Sequence, residues 1–214
     1  MKIVLGMMFS FALNGFASAN EDPKWVAGTP DDFASEMSKG SKGLTDKCDV
    51  NHSFQFMYQP RLARLIKDKR LSSSNKIRML EFGLGCAPGS GGMISGQPGG
   101  SAFGWRHLFN QVPGIEFELY SFEYDKNCAE KWAREHPGIA NKVHVGDASS
   151  EADLHRAYQD SGGQPFDIIV DDASHINWHQ IKTLDTMLPY LAKGGAYFVE
   201  DTHSSCLAWS VSNA

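Results

Sequence analysis

The sequence predicts an α/β protein built on a parallel, doubly wound sheet. Five short apolar segments alternate with amphipathic segments across residues 71–203, which is the pattern of successive strand–helix–strand units. One of these segments, Phe166–Val170, is almost entirely apolar, as expected for a strand covered on both faces. Each apolar segment is also followed or ended by an acidic residue, at the edge of the sheet where such folds bind ligands. These acids are Glu81, Glu123, Asp147, Asp171 with Asp172, and Glu200 with Asp201.

Residues 1–19 predict a cleaved signal peptide. Lys2 precedes an apolar run, Ile3–Leu13, and Ala17-Ser18-Ala19 supplies the small residues of a cleavage site. A spanning helix needs about 20 apolar residues, so the run does not predict a stable membrane span. A buried N-terminal helix is the alternative. We therefore expect a protein of the secretory pathway, and the glycosylation tripeptide Asn51-His52-Ser53 is compatible with that route.

Residues 20–70 predict a linker and a helical lead-in to the sheet. The part up to residue 43 is rich in Gly, Ser, Asp, Lys and Pro, with one short helix near Asp31–Ser38. Apolar side chains then recur at helical spacing over Ser53–Lys69, namely Phe54, Tyr58, Leu62 and Leu65. This spacing predicts an amphipathic helix, whose aromatic residues we interpret as core packing.

The first strand begins near Ile77 and ends at Glu81, just before the turn Gly83-Leu84-Gly85. Glycine tolerates positive φ values and lets the backbone approach a ligand closely. In an open α/β sheet, the turn after the first strand is where a nucleotide-like cofactor binds. A Gly-x-Gly turn is also compatible with an ordinary connection, so its interpretation depends on the residues downstream.

A segment dense in Gly, Ser and Pro, Cys86–Gly104, follows the glycine turn. Loops of this length without regular structure are usually functional or mobile. We interpret the segment as a lid or substrate loop, with an inert surface insertion as the alternative. A short helix over Trp105–Asn110 leads into the second strand.

The remaining elements alternate regularly and are separated by Gly and Pro. The sequence predicts strands at Phe117–Phe122, Lys142–Val145, Phe166–Val170 and Ala196–Val199, the last after a Gly194-Gly195 turn. It predicts helices at Asn127–Glu135, Ser150–Asp160 and Trp178–Leu191.

Two of the strand-end acids suit the nucleoside part of a cofactor. Glu123 ends the second strand, where a carboxylate can accept hydrogen bonds from both hydroxyls of a ribose. Asp147 follows the third strand and is placed to meet an adenine edge. For each residue, the alternative is an ordinary surface acid.

The acids after the fourth and fifth strands suit a divalent cation. Asp172, Glu200 and Asp201 offer hard oxygen ligands, which Mg²⁺ prefers, and clustered carboxylates repel one another unless a cation neutralises them. His175 lies three residues after Asp172, where a neutral imidazole can act as a general base. Alternatively, these acids cap helices or pair with lysines, His175 is an exposed loop residue, and His179 is the competing base.

Composition and missing motifs argue against several other functions. The 214 residues carry a net charge of −5 without a Lys/Arg cluster, so we expect no nucleic-acid partner. No GxxxxGK[ST] loop or GxSxG elbow occurs, and Pro88 replaces the third glycine of a nicotinamide-type GxGxxG motif. Four cysteines, Cys48, Cys86, Cys128 and Cys206, allow disulfides or buried thiols. None of them forms a CxxC pair, which disfavours structural zinc.

Three segments of the chain resemble class I S-adenosylmethionine-dependent methyltransferases, which have a Rossmann-like sheet. They are Met79–Gly85, Phe166–His175 and Gly194–Asp201. The chain is similar in particular to the macrocin/mycinamicin-type sugar O-methyltransferases and the related cephalosporin-hydroxylase-like group, including fungal members. Thr45-Asp46-Lys47 with His52 and Tyr58 is similar to the lead-in of that group.

This resemblance implies transfer of a methyl group from S-adenosylmethionine to a hydroxyl of a sugar-like or other small hydroxylated acceptor, assisted by Mg²⁺. It implies that His175 is the general base and that Asp172, Glu200 and Asp201 bind the metal. The cofactor would be bound by Glu81, Gly83, Gly85, Glu123, Asp147, Ala148 and Asp171.

Two departures from the group keep alternatives open. The group usually has Gly-Asp-Gln where this chain has Gly146-Asp147-Ala148. Its fold also continues into a sixth and seventh strand. We interpret residues 204–214 as a divergent tail after a domain at 71–203, and we therefore expect these two strands to be missing here. The alternatives are a non-catalytic or truncated methyltransferase-like binding protein, or an NAD(P)-dependent oxidoreductase.

Overall fold

The computed structural model describes residues 21–48, 52–86 and 97–204. The predicted signal peptide, the glycosylation acceptor Asn51, Cys206 and most of the predicted tail lie outside these ranges. Residues 87–96 of the predicted lid loop also lie outside them. Within the described residues, no helix combines the length and the apolarity that crossing a membrane requires.

Five parallel strands form one sheet in the order β3-β2-β1-β4-β5. The strands are β1 Lys76–Phe82, β2 Glu116–Glu123, β3 Lys142–Val145, β4 Phe166–Asp171 and β5 Leu191–Val199. The predicted parallel, doubly wound sheet is therefore confirmed. Strand order reverses between β1 and β4, which makes the carboxyl ends of these two central strands the expected ligand position.

Helices cover the sheet and connect its strands. Those in the described residues are α1 Lys24–Ala27, α2 Pro30–Ser41, α3 Gln55–Arg70, α4 Gly100–Asn110, α5 Lys126–Glu135, α6 Glu151–Asp160 and α7 Asn177–Met187. Most predicted bounds agree within two residues. The helix predicted over Trp105–Asn110 was too short: α4 begins at Gly100, inside the segment predicted as an irregular loop. The helix predicted to reach Leu191 was too long: α7 gives way to a 3₁₀ turn, Leu188–Tyr190, because Pro189 has no N–H with which to continue the helix. β5 begins at Leu191, earlier than predicted, so the predicted Gly194-Gly195 turn lies inside the strand, where its pairing with β4 shifts register.

The segment predicted as a linker is part of the core, so that prediction was wrong. Trp25, Phe33 and Met37 are fully buried, and the Trp25 indole N–H donates to the Leu108 carbonyl at 3.1 Å. Thr29 forms a reciprocal cap with Asp32 at the start of α2, which satisfies backbone groups at the helix end. The polar composition of the segment concealed three large apolar side chains that the sheet requires as cover.

A disulfide links Cys86, just after the glycine turn, to Cys128 in the first turn of α5. The sequence left disulfides and buried thiols as equal alternatives for these residues, and the structure resolves this pair as bonded. The bridge ties the end of the β1 turn to the helix that follows β2. It therefore fastens together two sides of the carboxyl edge of the sheet.

Candidate active site

A cavity of about 710 Å³ opens at the carboxyl edge of the sheet. Most of the predicted site residues line it, namely Gly83, Gly85, Glu123, Asp147, Ala148, Asp172, His175 and Asp201. Acids from four different strand ends therefore converge on one hollow, as expected of a ligand site in this fold. Glu81, Asp171 and Glu200 do not line the cavity, and each is at most 2% exposed. They lie behind its wall, whereas the sequence predicted direct contact with a ligand.

The glycine turn after β1 depends on its two glycines. Gly83 and Gly85 have φ values of +95° and +80°, a backbone region that residues with a Cβ rarely adopt. A Cβ added to Gly83 would lie 2.0 Å from the carbonyl oxygen of Asp172. Gly83 is therefore needed where the turn packs against the chain leaving β4, and it brings the cofactor-side and acid-side loops together.

Glu123 fastens the same turn from the neighbouring strand. Its Oε2 accepts the backbone N–H of Leu84 at 3.0 Å and that of Cys86 at 3.4 Å, and its Oε1 accepts the N–H of Asp125 at 2.9 Å. A carboxylate has about four lone-pair positions, so these bonds leave acceptor capacity towards the cavity. The predicted ribose contact is compatible with this arrangement.

Asp147 and Ala148 form the far wall of the cavity. Asp147 Oδ1 accepts the N–H and the hydroxyl of Ser149, at 2.8 and 2.7 Å, so its carboxylate shapes its own loop. The carbonyl of Ala148 accepts the Thr183 hydroxyl at 2.9 Å. Contact of these two residues with an adenine stays a prediction.

Asp172, His175 and Asp201 form the part of the cavity that fits a metal. Their ligand atoms all lie within 4.8 Å of one another. His175 Nε2 is 3.8 Å from Asp172 Oδ1 and 3.5 Å from Asp201 Oδ2. Two carboxylates with open access suit a hard divalent cation such as Mg²⁺, and the imidazole beside them suits a proton acceptor.

Backbone strain marks the same place. His175 and Asp201 have φ values of +55° and +52°, in the left-handed region that non-glycine residues rarely occupy. Such conformations cost of order 1 kcal/mol each and cluster at functional sites. Both strained residues belong to the same group of side chains, with His175 Nε2 3.5 Å from Asp201 Oδ2.

Behind this group lies Lys47, a lysine with no exposed surface. Its Nζ is 2.7 Å from Asp172 Oδ2, 2.8 Å from Glu200 Oε2 and 3.4 Å from Glu81 Oε1. Burial alone would lower the pKa of Lys47, but attraction to these three carboxylates outweighs it and raises the pKa well above its usual value. The lysine therefore carries a charge inside the protein.

Hydrogen bonds complete the buried acids. The Tyr58 hydroxyl donates to Glu200 Oε1, while Ser101 and Trp105 donate to Glu81 at 2.9 and 3.0 Å. Both oxygens of Glu200 therefore have partners within the protein, Lys47 and Tyr58. The metal contact predicted for Glu200 stays a prediction. Tyr58, interpreted from its spacing as core packing, also has this polar role.

Asp171 stands apart from the other acids. Its Oδ2 has no hydrogen-bond partner among the described residues, and burial raises its pKa to about 7. It lies opposite Val199 in the ladder between β4 and β5 and does not line the cavity. The cofactor contact predicted for Asp171 stays a prediction.

The competing base, His179, also lines the cavity. Its Nδ1 lies 2.8 Å from the Ser174 hydroxyl, and burial lowers its pKa. No contact under 4 Å joins His179 to a carboxylate among the ion pairs of the described residues. Of these two histidines, His175 is therefore the one that the structure places beside Asp172 and Asp201. His52 and His203 also line the cavity, with His52 Nε2 3.6 Å and His203 Nδ1 3.9 Å from Asp201 Oδ1.

Sequence reasoning missed Lys47 as a site residue. The Thr45-Asp46-Lys47 motif was noted as part of a family resemblance, but nothing in its spacing predicts that its lysine reaches three strand ends. A lysine next to an apolar core helix was the one available signal. Its 125 residues of separation from Asp172 explain why local pattern could not reveal the contact.

Comparisons with known proteins indicate similarity to methyltransferases. Residues 97–202 match the profile of a family described as a methyltransferase domain. The chain is 28% identical over 164 residues to the 8-demethyl-8-(2-methoxy-alpha-L-rhamnosyl)-tetracenomycin-C 3'-O-methyltransferase of Streptomyces olivaceus, which covers 75% of this chain and 35% of that enzyme. It is 30% identical over 163 residues to the demethylmacrocin O-methyltransferase of Streptomyces fradiae, which covers 75% of this chain and 34% of that enzyme.

The fold is similar to that of the MycE methyltransferase from the mycinamycin biosynthetic pathway, solved in complex with Mg and SAH. The TM-score is 0.61 and the identity 25%, over 84% of this chain and 42% of MycE. The chain spans about a third of the length of the curated relatives it matches. The resemblance to the macrocin/mycinamicin-type methyltransferases and the methyltransferase-type fold are both confirmed.

We predict that Glu123→Gln destabilises the chain by about 1–3 kcal/mol. The amide NH₂ of glutamine would face backbone N–H groups and leave them without an acceptor. Urea unfolding of the full chain measures the change. The matched control is Glu130→Gln, an exposed glutamate of α5 that pairs loosely with Lys126 and should change stability by less than about 0.5 kcal/mol. Equal effects of the two substitutions would contradict the fastening role of Glu123.

Proposed function

We propose that this chain, which carries a methyltransferase domain, transfers a methyl group from S-adenosylmethionine to a hydroxyl of a sugar-like or other small hydroxylated acceptor, with Mg²⁺ bound in the same cavity. The observation that carries the proposal is the convergence of Glu123, Asp172 and Asp201 on one hollow, beside a glycine turn. The names of the relatives support the reaction class, since they are O-methyltransferases acting on glycosylated compounds. MycE supports the two cofactors, since its crystals contain Mg and SAH.

The glycine turn and the walls beside it would hold the cofactor. Gly83 and Gly85 allow close approach of the backbone, Glu123 accepts from the ribose, and Asp147 with Ala148 borders the adenine. S-adenosylmethionine supplies a methyl group made electrophilic by its sulfonium. Rigid fixing of the turn by Glu123 and the Cys86–Cys128 bridge favours in-line placement, which supplies much of the rate in a direct displacement.

Asp172 and Asp201 would hold Mg²⁺ at the other end of the cavity. The metal would supply positive charge that lowers the pKa of a hydroxyl beside it. His175 would accept the hydroxyl proton at its Nε2. The imidazolium that forms is stabilised by the two carboxylates, whose oxygens lie 3.5 and 3.8 Å away.

The first test separates binding from turnover. We expect calorimetry of the full chain to show one site for S-adenosylmethionine, and a transfer assay on glycosylated acceptors to show activity that chelation of Mg²⁺ abolishes. Binding without transfer to any acceptor would support a non-catalytic methyltransferase-like protein instead. Absence of S-adenosylmethionine binding would refute the proposal altogether.

We predict that His175→Ala lowers the transfer rate by roughly 10²–10⁴-fold, the usual contribution of a general base. Affinity for S-adenosylmethionine should stay close to that of the wild type, because His175 lies at the acid end of the cavity. His179→Ala is the matched control and should keep most of the activity. If His179→Ala were the inactive variant, the two histidines would exchange roles.

We also propose that the chain enters the secretory pathway. The Cys86–Cys128 disulfide supports this, because such bonds persist in oxidising compartments. Intact-mass measurement of the protein recovered from culture medium should give a chain that begins at Asn20 and contains the bridge. A cell-retained protein that keeps residues 1–19 would contradict this.

A further inference from the structure

Asp172 uses its two oxygens in two different directions. Its Oδ1 faces His175 in the cavity at 3.8 Å, and its Oδ2 faces Lys47 behind the wall at 2.7 Å. A carboxylate held in this way by an ammonium is fixed in its rotation, since turning it would break the charge-assisted bond to the lysine. Lys47 therefore decides which oxygen the cavity receives.

The surroundings of the Lys47 ammonium are those of a cation site. Three carboxylate oxygens, from Glu81, Asp172 and Glu200, lie within 3.4 Å of Nζ. The carboxylate of Asp172 is shared between this position and the Asp172–His175–Asp201 group. A bridging carboxylate between two cation positions is the arrangement of sites that hold two metal ions.

The lysine is held in this position by its own backbone and by neighbouring elements. The Lys47 carbonyl accepts the N–H of Phe54 at 3.0 Å, which anchors the loop to the start of α3. A Cβ on Gly100, the first residue of α4, would lie 2.3 Å from the Leu44 carbonyl oxygen, so the loop also packs tightly on α4. Fixed at both sides, the ammonium is a permanent part of the site.

We propose that Lys47 is a positioning residue that acts as a built-in second cation: it orients Asp172 towards the cavity and restricts the carboxylate cluster to one divalent ion. The inference rests on the proposed function, because it concerns the same metal position. It adds a residue and a stoichiometry that the proposed function does not contain. Without the lysine, oxygens of three carboxylates would face one position that the ammonium no longer neutralises.

The test counts the Mn²⁺ ions bound per chain in the absence of cofactor and acceptor. Equilibrium dialysis measures the stoichiometry, and electron paramagnetic resonance detects the bound ions. The wild-type chain should bind one Mn²⁺ per molecule at the site. Lys47→Ala should bind two, with a spin-coupled signal from the pair. Ethylammonium, which replaces the missing end of the side chain, should suppress the second ion and return the stoichiometry to one.

Two further variants control the result. In Lys47→Ala/Glu200→Gln, the amide removes one acid of the vacated position, and we expect one ion again. Lys69→Ala removes a lysine that does not line the cavity and whose Nζ lies 2.7 Å from Asp167 Oδ1. This variant should still bind one ion. A loss of packing alone would not respond to ethylammonium, so the amine distinguishes a positioning role from a structural one.

The outcomes separate the two claims. A folded Lys47→Ala that binds one ion with wild-type affinity would overturn the inference and leave the proposed metal site intact. Two ions in the wild-type chain would overturn it without any variant, so the test survives a Lys47→Ala that does not fold. A wild-type chain that binds no ion would refute the proposed metal site itself.

Discussion

The charge of one buried lysine holds together the acids at the carboxyl edge of this sheet. Glu81 lies at the end of β1, and Asp172 and Glu200 directly follow β4 and β5. All three carboxylates face the Lys47 ammonium. Burying one such acid without a partner would cost several kcal/mol, and a cluster of them would drive the strand ends apart. Because the lysine comes from the N-terminal lead-in, that segment is as necessary to the site as the strands are.

This arrangement divides the strand-end acids into two layers. Glu123, Asp172 and Asp201 line the cavity and can meet a ligand, whereas Glu81 and Glu200 lie behind it and are bound by Lys47, Tyr58, Ser101 and Trp105. The inner layer fixes the outer one, since Asp172 belongs to both. Preorganisation of this kind is what a transfer reaction needs, because its rate depends on the placement of two reactants.

The sheet and the position of the cavity could be predicted from the sequence, because they follow from local pattern. The apolar segments predicted strands β1 to β5, and an acidic residue at every strand end indicated a ligand-binding site at the carboxyl edge of the sheet. Lys47 could not be predicted in this way, since its contact with Asp172 spans 125 residues. The burial of Trp25 and Phe33 was missed for a similar reason: a segment rich in polar residues becomes core when the sheet needs cover on that face. The distinction between lining and buried acids also depends on side-chain packing, which strand spacing does not contain.

A crystal structure of the chain with S-adenosylhomocysteine and Mn²⁺, with anomalous data for the metal, would show whether cofactor and metal share the cavity in front of Lys47. We expect one anomalous peak within ligand distance of Asp172 and Asp201, an adenosyl group beside Glu123, and the Lys47 ammonium still between its three acids. A metal peak at the Lys47 position, or a nucleoside bound outside the cavity at the strand ends, would contradict this expectation.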